Sequence, residues 1–129
     1  MIVLDSSAAL DYLLGTPHGS FVSERLERQG IALAPHLLDC EVLAFLRRAV
    51  ARGEVTESRA ILALGHFGAL RIMRFPHLRF AARVWELRHS ITAADAFFVA
   101  LAEETGAPLV TTDLRLARSH GHRAVILAP

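Results

Sequence analysis

The sequence predicts an α/β fold, with a central, mainly parallel sheet of four to five short strands and helices on both faces. Three observations carry this. Apolar runs of about five residues alternate with stretches whose apolar residues recur at three and four positions, the helical period. The runs are apolar throughout rather than alternating, as strands buried on both faces are. Glycines stop most of the helical stretches, so that each connection is a separate crossover.

Met1–Leu4 reads as a strand ended by Asp5; Ser6 and Ser7 then start a helix through Ala8, Leu10, Leu13 and Leu14, stopped at Gly15. A second helix runs from Gly19 to Arg28 and closes at Gly30, and Ile31–Ala34 is a strand before Pro35. His36–Arg52 has the clearest helical period, with Leu38, Val42, Phe45 and Ala49 as its apolar stripe and Gly53 as its stop. Thr56 caps a helix reaching Phe67, Leu70–Phe75 is a strand before Pro76, and Leu78–Arg88 is a further helix. Thr92–Thr105 is a helix stopped by Gly106, Pro108–Thr112 a strand, and a short turn or helix follows Asp113 before a last strand at Ala124–Leu127. No repeat or linker divides the 129 residues, so a single domain, 1–129, is expected.

Apolar residues make up 53% of the chain, above the ~45–50% of an average soluble protein, which leaves apolar surface for a partner. No apolar run approaches the ~18 residues of a membrane span, and Asp5 follows the first run without the basic flank of a signal peptide. A cytoplasmic protein with no membrane contact is expected. Cys40 is the only cysteine, which excludes an intrachain disulfide and a cysteine-based zinc cluster; beside Leu38, Val42 and Leu43 it reads as a buried core residue. The net charge of +1 does not announce a nucleic-acid binder; all fourteen basic residues are Arg, which suits bidentate phosphate recognition but also fits a bias of composition.

In an open parallel sheet, ligands bind at the carboxyl ends of the strands. Asp5 and Asp113 stand just after predicted strands, Asp95 in the first turn of a helix, and Glu41 one turn inside another. If these ends share a crevice, four carboxylates meet at a cost that a cation would relieve. Hard oxygen ligands without cysteine favour Mg²⁺ or Mn²⁺, and such a site suits phosphodiester hydrolysis. Each acid also has a local reading: Asp5 and Asp113 as helix N-caps, Asp95 as a partner of a helix dipole, Glu41 as a solvated side chain. Glu41 argues most against the local reading, since Leu37, Leu38, Ala44 and Phe45 around it are apolar.

The order of these motifs resembles the PIN-domain family, and within it the VapC-type toxins of bacterial toxin–antitoxin pairs. Met-Ile-Val-Leu-Asp5-Ser-Ser-Ala-Ala-Leu is similar to the family's first strand and first acid, with Ser7 at its usual hydroxyl position. Asp39-Cys40-Glu41-Val42, Ile91-Thr92-Ala93-Ala94-Asp95-Ala96 and Leu109-Val110-Thr111-Thr112-Asp113-Leu114 resemble the segments carrying the other three acids. The resemblance implies a three-layer PIN-like fold and endonucleolytic cleavage of RNA (transfer, ribosomal or messenger) with Mg²⁺ or Mn²⁺. Asp5, Glu41, Asp95 and Asp113 would be the metal ligands and catalytic acids, with Ser7 and Thr111 orienting them. It further implies a homodimer and an antitoxin protein partner. Some relatives carry another acid after the fourth, where this chain has Leu114, Arg115 and Leu116, so the number of ions stays open.

Arg47, Arg48 and Arg52 follow Glu41, and Arg115 and Arg118 follow Asp113; Arg47, Arg48 and Arg115 are the candidates for RNA phosphate contacts, against a solvated helix face. His120-Gly121-His122 lacks metal-site spacing and reads as loop. Trp85 reads as core or interface packing, and Phe97 and Phe98 as core. Three rivals stand beside the nuclease. One is a non-catalytic module that binds RNA or protein, and another a DNA nuclease with the same metal chemistry. The third, a phosphoryl-transfer domain of the haloacid-dehalogenase or receiver type, shares only the aspartate after the first strand and relies on a lysine, which this chain lacks.

Overall fold

Three-residue and four-residue apolar strands form the centre of the molecule, and a computed structural model describes all residues 1–129. Strands β1 (Ile2–Leu4), β2 (Ala32–Pro35), β3 (Ile72–Phe75), β4 (Leu109–Val110) and β5 (Ile126–Leu127) lie in the order β3-β2-β1-β4-β5, and every pairing is parallel. Every residue of β1, β2 and β4 is buried, as unbroken apolar runs require when both faces of the sheet are covered. The last two strands are shorter than the sequence predicts: they span only Leu109–Val110 and Ile126–Leu127, although the Thr111 amide still donates to the Leu127 carbonyl (3.1 Å).

Helices α1 (Ser6–Leu14) and α2 (Gly19–Gln29) join β1 to β2, and α3 (Leu37–Ala51) and α4 (Glu57–Ala69) join β2 to β3. These crossovers march towards one edge. After β3, a 3-10 turn (Leu78–Phe80), α5 (Ala81–Glu86) and α6 (Ala93–Thr105) carry the chain back to β4, and α7 (Leu114–Ala117) precedes β5. Right-handed crossovers running in opposite directions put their helices on opposite faces. Accordingly α6 packs across β1, β2 and β4 with α5 against it, while α1, α2, α3 and α4 pack among themselves on the other layer. The result is three layers. No helix is long and apolar enough to cross a membrane.

Local signals decide the element ends. Thr56 and Thr92 accept hydrogen bonds from the amides of Arg59 and Asp95, and Gly15 and Gly106 close α1 and α6 in the left-handed conformation that costs glycine least. The predicted helix Leu78–Arg88 is instead a 3-10 turn followed by the short α5.

Two expectations about side chains are overturned, for Cys40 and for the α3 stripe; of the two alternatives for Trp85 only core packing is excluded, and Phe97 joins the core only in part. Cys40 is exposed, not core: at 100° per residue it lies about 200° round α3 from both Leu38 and Val42, away from their buried face. Phe45 is 37% exposed and Leu46 is buried in its place, so the stripe of α3 is Leu38, Val42, Leu46 and Ala49. Trp85 is not core but 67% exposed, with the Arg88 guanidinium 4.5 Å from its ring centroid. Phe98 is fully buried as expected, whereas Phe97 is half-buried and packs against His77.

α5, α6 and the loop before β5 are fastened by Glu103. It accepts hydrogen bonds from Arg83 Nε (2.8 Å), Arg83 Nη2 (2.9 Å) and the Arg123 amide (2.8 Å). The Arg83 hydrogen bonds, opposed by burial and helped by Arg123, hold the Glu103 carboxyl down at about 2. A depressed folded-state pKa contributes stability above the ordinary value of 4.5, and that contribution is lost as pH falls towards 2. Glu103→Gln is therefore expected to cost about 2 kcal/mol at neutral pH and almost nothing at about pH 2. Urea unfolding midpoints at the two pH values check this, and an equal loss at both would remove the ion pair from the account.

Candidate functional site

Because all five strands run the same way, their carboxyl ends form one rim, and the helices that connect them begin there. β1 and β4 are neighbours at the place where the crossovers change direction, which is where such sheets open a crevice. Leu4 pairs with Val110. The residues that follow them, Asp5 and Thr111, therefore emerge side by side.

Asp5 is 3% exposed and Thr111 is fully buried. Asp5 begins α1, yet its side chain makes no cap hydrogen bond. Instead its Oδ2 accepts from Ser7 Oγ (2.7 Å) and from Thr111 Oγ1 (2.7 Å). Ser7 Oγ in turn accepts from the Thr112 amide and Thr111 Oγ1 from the Asp113 amide, both at 3.1 Å. The N-cap reading of Asp5 thus fails, and Ser7 and Thr111 both engage one oxygen and leave Oδ1 outside the pair.

α3 brings Glu41 to the rim. Its first turn has no cap from its own flank; His77 Nε2, forty positions along the chain, accepts the hydrogen bond from the Leu37 amide at 2.9 Å. Arg74 on β3 donates from Nε to both oxygens of Asp39 (2.9 and 2.8 Å), which ties the same turn to the sheet. Glu41 Oε1 is buried with no hydrogen-bond partner. An oxygen buried in this way carries a desolvation cost that no hydrogen bond to that atom offsets.

Asp95 and Asp113 retain part of their local readings. The Asp95 amide is capped by Thr92, and Asp113 Oδ1 caps α7 by accepting from the Arg115 amide at 2.8 Å. Three of the four carboxyls, those of Asp5, Glu41 and Asp95, are nevertheless raised by burial and by neighbouring carboxylates. Burial raises the pKa of Asp5, opposed by the Ser7 and Thr111 hydroxyls, and the Asp113 charge adds to the rise. Glu41 is raised by burial, then by the charge of Asp5, with the Ser6 hydroxyl opposing and Asp95 adding. Asp95 is raised by burial and then by Asp5, with Thr92 and Arg115 pulling down and Asp113 pushing up.

The four do not form a ready-made ligand cluster: Glu41 and Asp113 line one cleft, Asp95 lies in an adjoining hollow and Asp5 is buried at the rim. All donors are hard oxygens, one of them an orphaned buried oxygen, which fits a divalent cation of the Mg²⁺ or Mn²⁺ kind better than a soft metal.

A cleft of about 630 Å³ opens from this rim, bounded by Ser7, Glu41 and Asp113 and by Phe45, Arg48 and Arg115. Of the three arginines expected near phosphate, Arg48 and Arg115 line it. Arg47 does not: one residue round the helix, it lines an apolar groove between α3 and α4 with Leu43, Ile61 and Leu64. Asp95 sits in an adjoining hollow with Thr92 and Ser119, and Arg115 is the wall the two share. Two residues were missed in the sequence: Ser6, read only as a cap, stands against Glu41, and His77 has no local signal that could have placed it at α3.

Comparison with known proteins agrees with this architecture. The family model described as PIN domain matches residues 2–120. The chain is 43% identical over 126 residues to Ribonuclease VapC12 of Mycobacterium tuberculosis, covering 98% of this chain and 97% of that protein. It is 42% identical over 120 residues to Ribonuclease VapC1 of the same species, covering 92% and 90%. Among solved structures, VapBC2 from Rickettsia felis, bound to a DNA fragment from its promoter, superimposes with a TM-score of 0.72 over 99% of this chain and 98% of that one, at 15% identity.

Proposed function

The chain belongs to the PIN-domain family, and from that premise we propose that it is an RNA-cleaving toxin of a VapBC-type pair, using Mg²⁺ or Mn²⁺ held by Asp5, Glu41, Asp95 and Asp113. The observation that carries the reading is Glu41 Oε1, buried without a partner beside a second buried carboxylate, Asp5. A fold that needed these acids only for packing would not leave that oxygen unsatisfied. The names of the relatives support the ribonuclease activity and the antitoxin partner; a homodimer and a cytoplasmic location complete the proposal.

Bound there, a divalent cation would supply a Lewis acid for the phosphodiester and a more acidic water as nucleophile. The chain supplies the rest. Ser7 and Thr111 fix the rotamer of Asp5 by donating to Oδ2, so Oδ1 is presented without a search. Glu41 enters from α3, whose first turn is pinned by His77 and Arg74. Arg48 from α3 and Arg115 from α7 both line the cleft with Glu41 and Asp113 and would hold phosphates beside the acids.

The test is cleavage of a mixed pool of transfer and ribosomal RNA with Mg²⁺, Mn²⁺ or EDTA, with single-stranded and duplex DNA alongside. RNA fragments that need metal are expected, and Thr111→Val should slow their formation by about 10- to 100-fold, the usual effect of losing a group that orients a ligand. Folded, partner-free protein that cuts nothing would instead support the binding module. Cleavage of DNA in preference to RNA would transfer the same chemistry to the other polymer.

A further inference from the structure

We infer that Phe45 is a stacking platform for one unpaired base, set between the acidic site and an Arg48 phosphate contact; this rests on the nuclease reading above. Phe45 is a large apolar side chain with 37% of its surface exposed, on the wall of the cleft that contains Glu41 and Asp113. Glu41, Phe45 and Arg48 are spaced four and three residues apart on α3, so they form one row along the helix. At 1.5 Å per residue, Phe45 lies about 6 Å along the axis from Glu41 and Arg48 about 4.5 Å further. The row runs carboxylate, aromatic ring, cation. A single strand crossing it would place a phosphate at the acids, the attached base on the ring and the next phosphate at Arg48.

The hydrogen-bonding lining and an unpaired cation favour a nucleotide over an apolar protein segment as the occupant. The hydroxyls of Ser6 and Thr16 line the same cleft, and beside its acids Asp11, Glu41 and Asp113 stands Arg48, which makes no ion pair, so its charge is available. The groove between α3 and α4 is the contrasting case, with Leu43, Leu46, Val50, Ala60, Ile61 and Leu64 along it. The cleft volume, about 630 Å³, is within the range of small-ligand sites. Phenylalanine has a π-face but no hydrogen-bonding edge, so the contact tolerates every base and rejects a strand whose bases are still paired.

The experiment measures binding to Asp5→Asn protein in EDTA, so that nothing is cut, of a short oligouridylate and of its abasic counterpart. The parent binds the uridylate more tightly than the abasic strand by about five- to a hundredfold, the range of one base stacked on an aromatic residue. Phe45→Ala and Phe45→Leu lose that preference, and Phe45→Trp keeps it. Leu retains most of the apolar bulk, so its failure isolates the ring, and unfolding midpoints of all variants confirm the fold. Retained preference in Phe45→Leu, or an equal loss for both strands in Phe45→Ala, overturns the platform. So does uridylate binding that is unchanged in Phe45→Ala while a co-purifying protein partner is released. The nuclease reading fails separately, on the Asp5-containing protein, if it binds RNA but never cleaves it.

Discussion

Replacing Asp5 with Asn is expected to abolish RNA cleavage and to raise the unfolding temperature. The loss should be about a thousandfold or more, since a positioned cation contributes several kcal/mol and each 1.36 kcal/mol is tenfold. The gain in stability has the opposite sign from that of most core substitutions. Asp5 is 3% exposed, and its carboxylate is raised by burial and by the charge of Asp113, while it in turn raises Glu41 and Asp95. Asn keeps the shape and an oxygen for the Ser7 and Thr111 hydroxyls but removes the charge. Relief of about 1 kcal/mol would move the midpoint of a chain this size by about 4 °C. Scanning calorimetry in EDTA and a cleavage assay measure the two effects. An Asp5→Asn protein that is both active and less stable would assign Asp5 to the architecture alone.

That pair of signs separates a functional acid from a structural one, which the sequence could not do. What it did show were features with a local cause. An apolar run ended by an acid gave β1 and Asp5, hydroxyls before helical periods gave the Thr56 and Thr92 caps, and glycines marked the ends of α1 and α6. The four acids were singled out because each lies just after a strand or near the start of a helix, and in a parallel sheet those places share a rim.

Nothing local could show that β1 and β4 are neighbours, and on that adjacency the Asp5–Thr111 contact depends. The His77 acceptor at α3 is equally non-local. On α3 itself the sequence was ambiguous rather than silent. Phe45 and Leu46 are adjacent and both apolar, so spacings of four and three can run through either; packing placed Leu46 in the core and left Phe45 at the cleft. Cys40 was misplaced because its neighbours in sequence were weighed instead of its angle round the helix.

Divalent metal is expected to stabilise the wild-type protein at neutral pH and to lose that effect in acid. Asp5, Glu41 and Asp95 have carboxyl groups raised above their ordinary values, in each case by burial first. A raised folded-state pKa means that the folded chain holds protons the unfolded chain has released. Without metal, stability should therefore fall as pH rises from the ordinary values of 3.8 and 4.5 through the raised ones. The Glu103 contribution has the opposite slope, but it lies below 4.5, so the two windows separate. A cation bound only by the folded state reverses the neutral-pH loss by about 2.7 kcal/mol at a hundred times its dissociation constant. In acid the same ion must displace protons from its ligands, and the gain shrinks. Unfolding midpoints of wild type and Asp5→Asn, with Mn²⁺ and with EDTA, follow both effects across pH. The variant should show a shallower decline and little response to the ion. Wild-type stability that rises from about pH 4.5 to neutrality in EDTA, or that ignores Mg²⁺ and Mn²⁺ throughout, would leave the four acids without a shared site.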